Sequence, residues 1–302
     1  MPRCGSLRKR ARRRTKPVAA GALLASDAES LLGDPKAAAL NSSPVLCWWS
    51  AGVTSAVATK LAVMEFGERV RPVYFAIESA HADNARFKAE CERWYGMPIE
   101  TVRSAKYADQ FDVIERTRYV NGPAGARCTL ELKKKVRIEV EKAAPFDHQI
   151  FGFEYARREI NRAIRFKEQY PHTRPIFPLI EKRMTKAEAL HFLDKAGIKA
   201  PAMYALGYRN NNCIGCVKGG AGYWNKIRED FPDHFERMAA LERKIGHSCL
   251  RGQYLHDLPI AKGRRPKPIA PDCGNFCDIE FADLEHPQLD LLLESPGLLR
   301  SV

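Results

Sequence analysis

From Val45 onward the chain alternates short apolar runs with longer segments of helical apolar spacing, over about 110 residues. That alternation leaves few folds open. It predicts strand–helix–strand crossovers, and hence an α/β fold: a parallel sheet with helices on both faces. Val45–Trp49 reads as a short buried strand, and Ser55–Phe66 as a helix stopped by Gly67. Val70–Ile77 is a second strand. Asp83 or Asn84 can cap a helix that runs to Tyr95 and ends at Gly96, and Ile99–Val102 is a third strand. Helical spacing returns over Tyr107–Arg118 and Thr129–Ala143, and Gln149–Phe153 is a fourth strand leading into a charged helix ending near Tyr170. Thr185 with Glu188 forms a capping box for a helix ending near Gly197. After Pro201 the text turns loop-rich, with one more helix near Phe231–Ile245, and no internal repeat is visible.

The ends read differently. Residues 1–43 form a basic tail and linker expected to be disordered, because Met1–Lys16 holds eight Lys and Arg and no acid. Those eight account for most of the net charge of +13, leaving +5 for residues 17–302. The tail could touch nucleic acid through phosphates, resemble a targeting segment, or simply be solvated. Residues 44–200 are expected to form a nucleotide-binding α/β domain, residues 201–280 its cysteine-rich C-terminal region, and residues 281–302 a second tail. No stretch approaches the ~18 uninterrupted apolar residues of a spanning helix, which excludes a membrane partner. The start of the chain also lacks the apolar core of a secretory signal. Nine cysteines, an odd number in a chain of 302 residues, argue against a disulfide scaffold and for a reducing, cytoplasmic setting.

The loop between the first strand and first helix is the first candidate site. Ser50, Gly52, Val53, Thr54 and Ser55 stand at the carboxyl end of a parallel strand, where ligands bind in such sheets. Small residues let the backbone approach a ligand. The following helix adds free N–H groups, and three hydroxyls add donors, so a phosphate or sulfate is the natural guest. It is not a Walker loop, since no Gly-Lys-Ser/Thr follows.

Ser-x-Gly-x-x-Ser after a first strand resembles the pyrophosphate loop of the adenine-nucleotide alpha-hydrolase-like (PP-loop) superfamily. Ala51 replaces the usual first Gly and Thr54 the usual Asp, which removes a carboxylate from the loop. Further segments resemble phosphoadenosine phosphosulfate (PAPS) reductase-like proteins, most closely those common in bacteriophage genomes. They are His81 to Phe87, containing His-Ala-Asp83-Asn; Cys128 to Lys133; Gly152 with Glu159 and Arg162; Cys213-Ile-Gly-Cys216 with Lys218; and Cys273-Gly274. The resemblance covers about residues 44–280 and implies a Rossmann-like twisted sheet. It also implies an adenine nucleotide (PAPS, its non-phosphorylated analogue APS, or ATP) on the loop, with His81, Asp83, Lys133, Gly152, Glu159, Arg162 and Lys218 as further contacts.

The cysteines carry the chemistry that this resemblance suggests. Cys273 would attack the sulfonyl sulfur, with a thioredoxin-like or dithiol reductant releasing sulfite. Cys128 opens a helix, where the dipole favours thiolate. Cys213 and Cys216 can share one metal or form a redox disulfide. Relatives with a [4Fe–4S] cluster draw ligands from these two segments, so Cys128, Cys213 and Cys216 are candidates, with Cys249, Cys273, Cys277 or a non-protein ligand in fourth place. Structural zinc and unmetallated redox cysteines are the alternatives. Cys47 and Cys91 read as core thiols, and Trp48, Trp49 and Trp224 as core rings. Two other functions stay open: ATP-dependent sulfur transfer to nucleic acid, with Mg as a possible companion of ATP, and a nucleotide- or nucleic-acid-binding protein without chemistry.

Overall fold

The computed structural model describes residues 43–122, 125–211 and 213–263. Five parallel strands form one sheet in the order β3-β2-β1-β4-β5. They are β1 (Val45–Trp49), β2 (Val70–Phe75), β3 (Glu100–Val102), β4 (Gln149–Ile150) and β5 (Pro175–Ile176). The chain winds outward from β1 through β2 to β3, then returns to the other side of β1. The strand order therefore reverses between β1 and β4, and the crevice at such a reversal is where this sheet architecture receives ligands.

β1 shows why both faces are covered. All five of its residues are buried, and they alternate. Val45, Cys47 and Trp49 face α1 (Val53–Phe66), α2 (Asn84–Tyr95) and α8 (Lys186–Lys195). Leu46 and Trp48 face α5 (Lys135–Ala143) and α6 (Arg157–Gln169). A strand buried on both sides has no polar face, which is why the text of β1 is apolar throughout. The tryptophans and Cys47 and Cys91 are core residues, as expected.

Several boundaries differ from the sequence reading. β2 and β4 stop short of Ile77 and Phe153; each continues by one further bond, from Ala76 N–H to the Val102 carbonyl and from Phe151 N–H to the Ile176 carbonyl, and Ile77 and Phe153 line a cavity. The helix expected from Tyr107 begins later, as α3 (Gln110–Thr117), because the Asp109 side chain caps it by accepting from the Asp112 N–H at 2.8 Å. Asp83 occupies the N-cap position of α2 without capping it. Its carboxylate is taken by Arg86 and by the Ala202 N–H. β5, two residues long, was not anticipated. The helix expected from Thr129 is broken into α4 (Arg127–Thr129), a π-helical turn (Leu130–Lys134) and α5.

The stretch after Pro201 has the expected loops around residues 206–220 and 246–254, but also more helix than its text suggested. After α7 (Pro178–Glu181) and α8 come α9 (Ala202–Ala205), α10 (Ala221–Asp230) and α11 (Pro232–Ile245), the last being the helix expected near Phe231–Ile245. These helices bury Tyr208, Tyr223, Trp224, Phe235 and Met238 against Phe111 and Ile114 of α3, in a core apart from the two faces of the sheet.

Candidate functional site

A cavity opens above the carboxyl ends of β1, β2 and β4, at the reversal of strand order. Its floor is the β1–α1 loop. Gly52 is the N-cap of α1, with no side-chain cap and no acidic residue in the first turn, so apart from the Val53 N–H, which the Tyr204 hydroxyl engages, the positive helix end is left for an anion. The loop hydroxyls occupy one another. Ser50 Oγ and Ser55 Oγ lie 2.9 Å apart, and Ser55 Oγ donates to the Gly52 carbonyl at 2.9 Å. Ala51 holds φ +58°, in the left-handed region that favours glycine. It is wholly buried, and its carbonyl accepts from Asn211.

Gly152 sits behind the loop. A Cβ there would lie 2.6 Å from the N and Cα of Ser55. The residue is thus glycine because the chain after β4 passes directly against the start of α1. Its place in the site is steric.

The cavity walls bring charge and aromatic surface to that floor. Lys133, Arg162 and Lys186 line it, with the carboxylates of Glu154 and Glu159. Lys133 comes from the π-helical turn and is half-buried, two residues before the exposed Lys135 and so on the other side of the helix. Arg162 is buried, 3.3 Å from Glu159, with its guanidinium 4.4 Å from the centre of the Phe153 ring. Tyr74, Trp48, Phe151, Phe153 and Tyr204 supply rings.

One thiol reaches this cavity: among the described cysteines, Cys213 alone lines it. Burial pushes the Tyr74 phenol up, a hydrogen bond from Asn84 pulls it down, the sulfur of Cys213 pushes it up again, and Lys133 opposes. Those influences place Tyr74, Cys213 and Lys133 together. The segment that presents the thiol is held at several points. Ile214 N–H donates to the Ser79 carbonyl at 2.9 Å, and the Ile214 carbonyl accepts from Gln110 at 2.8 Å. The Tyr223 hydroxyl accepts from Cys216 N–H at 2.8 Å and donates to the Cys213 carbonyl at 3.3 Å.

The expected residues divide cleanly. Ser50, Gly52, Thr54, Ser55, Lys133, Gly152, Glu159 and Arg162 line the cavity. Val53, His81, Asp83 and Lys218 do not. The Val53 N–H is engaged by the Tyr204 hydroxyl at 3.3 Å. His81 turns its Nδ1 to the Asp83 N–H and its ring edge to Phe231, a local structural role. Asp83 is bound to Arg86, which holds its carboxyl below the usual carboxylate range. Tyr74, Asn84, Lys186, Tyr204 and Asn211 line the cavity without having been foreseen as ligand contacts.

The other cysteines lie elsewhere. Cys216 is buried in the helical core, and Cys128 packs at its edge and beside Leu132. Cys249 also packs there; burial and the adjacent Glu242 push its thiol well up, and it donates to that carboxylate. Among the described residues, no group of three or more His, Cys, Asp and Glu side chains is arranged to hold a metal ion. Cys273, expected to be the nucleophile, lies outside the described residues, as does Cys277.

No family model and no curated protein matches the chain. Among solved structures it is similar to the U34-tRNA thiolase NcsA from Methanococcus maripaludis with its [4Fe–4S] cluster. The identity is 13%, covering 75% of this chain and 79% of that one, with a TM-score of 0.37. That score is too low to transfer fold or activity. No helix among the described residues is long and apolar enough to cross a membrane.

Proposed function

We propose that the chain is an enzyme of PP-loop type that binds an adenine nucleotide in this cavity and performs thiol-dependent sulfur chemistry on it. One observation carries the reading: Cys213 shares a cavity with an uncapped helix N-terminus and with Lys133, Arg162 and Lys186. The helix end and the cations suit the phosphate or sulfate group. The aromatic walls suit a base, and the thiol stands where a sulfur atom would be exchanged.

With an adenylylated sulfate as substrate the chemistry balances simply. The thiolate attacks the sulfonyl sulfur, and the nucleotide leaves on its phosphate oxygen, leaving an S-sulfonated cysteine. A dithiol reductant then attacks the cysteine sulfur, which releases sulfite and forms a disulfide. The cations stabilise charge on the departing phosphate. Cys213 and Cys273 are the two candidate nucleophiles. The decisive experiment measures sulfite release from PAPS and from adenosine 5′-phosphosulfate by wild type, Cys213→Ser and Cys273→Ser. Loss of release in Cys213→Ser, with nucleotide affinity kept within about twofold, supports Cys213. Full activity in that variant removes it from the chemistry.

A second reading has its own observation. The loop lacks the family's Asp, but Glu154 and Glu159 bring carboxylates to the same cavity. That favours ATP with a divalent cation, hence ATP-dependent sulfur transfer to an acceptor such as a nucleic acid. Pyrophosphate release from ATP that depends on added nucleic acid would establish this reading in place of sulfate reduction.

A further inference from the structure

Asn211 stands apart from the other residues of the cavity. It is 8% exposed, and both of its amide hydrogens are used: one on the Ala51 carbonyl at 2.7 Å, one on Asn84 Oδ1 at 2.7 Å. Asn84 in turn donates its own amide to the Tyr74 hydroxyl at 3.1 Å, which fixes its carbonyl toward Asn211. The chain of bonds therefore settles which side of the Asn211 amide is NH₂ and which is oxygen. That oxygen, Oδ1, is buried and has no hydrogen-bond partner. A buried carbonyl oxygen left unpaired is costly, and native proteins seldom leave one without a purpose.

The group that would satisfy Asn211 has to be a donor. The ionised phosphoanhydride and sulfate groups that a nucleotide would set on the loop offer acceptors, so they do not serve Asn211. An adenine nucleotide has donors in two places, the sugar hydroxyls and the exocyclic amine of the base. Asn211 is bonded to the carbonyl of Ala51, immediately before the Gly52 N-cap, and so sits at the phosphate end of the site. The sugar hydroxyls are only a few bonds from that phosphate, whereas the base amine is on the far side of both sugar and ring.

We propose that Asn211 is the sugar-reading residue of the site, accepting through Oδ1 a hydrogen bond from a ribose hydroxyl of the bound nucleotide. This rests on the nucleotide reading given above and adds to it a preference for ribonucleotides over deoxyribonucleotides. Asn84 and Tyr74 act as positioning residues that hold the Asn211 amide in its orientation.

The test is calorimetric titration of the full-length protein with ATP, 2′-deoxy-ATP and 3′-deoxy-ATP, for wild type and Asn211→Ala. Wild type should bind one of the two deoxy nucleotides about tenfold more weakly than ATP, and in Asn211→Ala that penalty should shrink to within about twofold. Equal affinity of wild type for all three nucleotides overturns the proposal, whatever the variant does, so a variant that fails to fold does not protect it. A penalty that persists in full in a folded Asn211→Ala also overturns it. Failure of wild type to bind any of the three is a different result, because it removes the nucleotide reading itself.

Discussion

At the scale of single residues, the site depends on two backbone accommodations. Ala51 carries a left-handed conformation that costs an L-residue about 1–2 kcal/mol, and it is held there by complete burial and by the hydrogen bond from Asn211. Gly152 allows the chain after β4 to touch the start of α1. Gly152→Ala must push the two segments apart. We expect about 1–3 kcal/mol of lost stability in urea unfolding and at least tenfold weaker nucleotide binding. Unchanged affinity would show that the α1 terminus tolerates displacement. The glycine was legible in the text as a site residue, but its reason was not. A clash between residues about a hundred positions apart is invisible until both are placed. Asn211 was harder still, since its amide is oriented by Ala51 and Asn84, the latter 127 residues away.

At the scale of elements, the cysteine-bearing loop and the π-helical turn shape the site. The Tyr223 hydroxyl spans Cys213 and Cys216, and burial pushes its phenol far above the ordinary range, with both sulfurs pushing the same way. Tyr223→Phe leaves the buried Cys216 N–H without its acceptor, so a loss of about 1–3 kcal/mol is expected in denaturant unfolding. A faster reaction of Cys213 with a thiol reagent should accompany it as the loop loosens. The β2–α2 connection carries the clearest acid sensitivity. Arg86 holds Asp83 below the usual carboxylate range, and the Ala202 N–H adds to this against a smaller opposing effect of burial. A depressed folded-state pKa gives stability that is present above the unfolded value and lost as pH falls through the folded one. Stability measured from about pH 5 down to pH 2 should therefore fall less steeply in Asp83→Asn than in wild type. Parallel curves would remove Asp83 from the acid limb. The Thr185–Glu188 capping box was read directly, because it is local chemistry, and both of its hydrogen bonds are present. The π turn could not be read. One extra residue in a helix leaves composition and propensity unchanged.

At the scale of the whole molecule, the α/β architecture was legible because β1 and β2 are buried strands whose hydrophobic text is long enough to recognise. β5 was not, since two residues give no periodicity, and apart from α11 neither was the helical core after Pro201. Its buried aromatics stand among Gly and Asn, and they pack on α3 rather than on their neighbours in sequence. A ligand drawing on all these parts stabilises only the assembled state. ATP at about 100 times its dissociation constant should add about 2.7 kcal/mol to the unfolding free energy, read as a higher melting temperature. No shift at that concentration would count against the cavity as a nucleotide site.

The hydrogen bond from Asn211 to Ala51 joins residues 160 positions apart. Seen from the ribosome, the β1–α1 loop emerges well before the opposite wall of the cavity. At about 5–20 residues per second, the interval is on the order of 10–30 s. Throughout that time the nascent sheet can gather its first strands, but it has no closed pocket and no Cys213 beside it. Any ligand that needs both walls can be held only after Asn211 and Cys213 have emerged, once the strands that support the loop are already made.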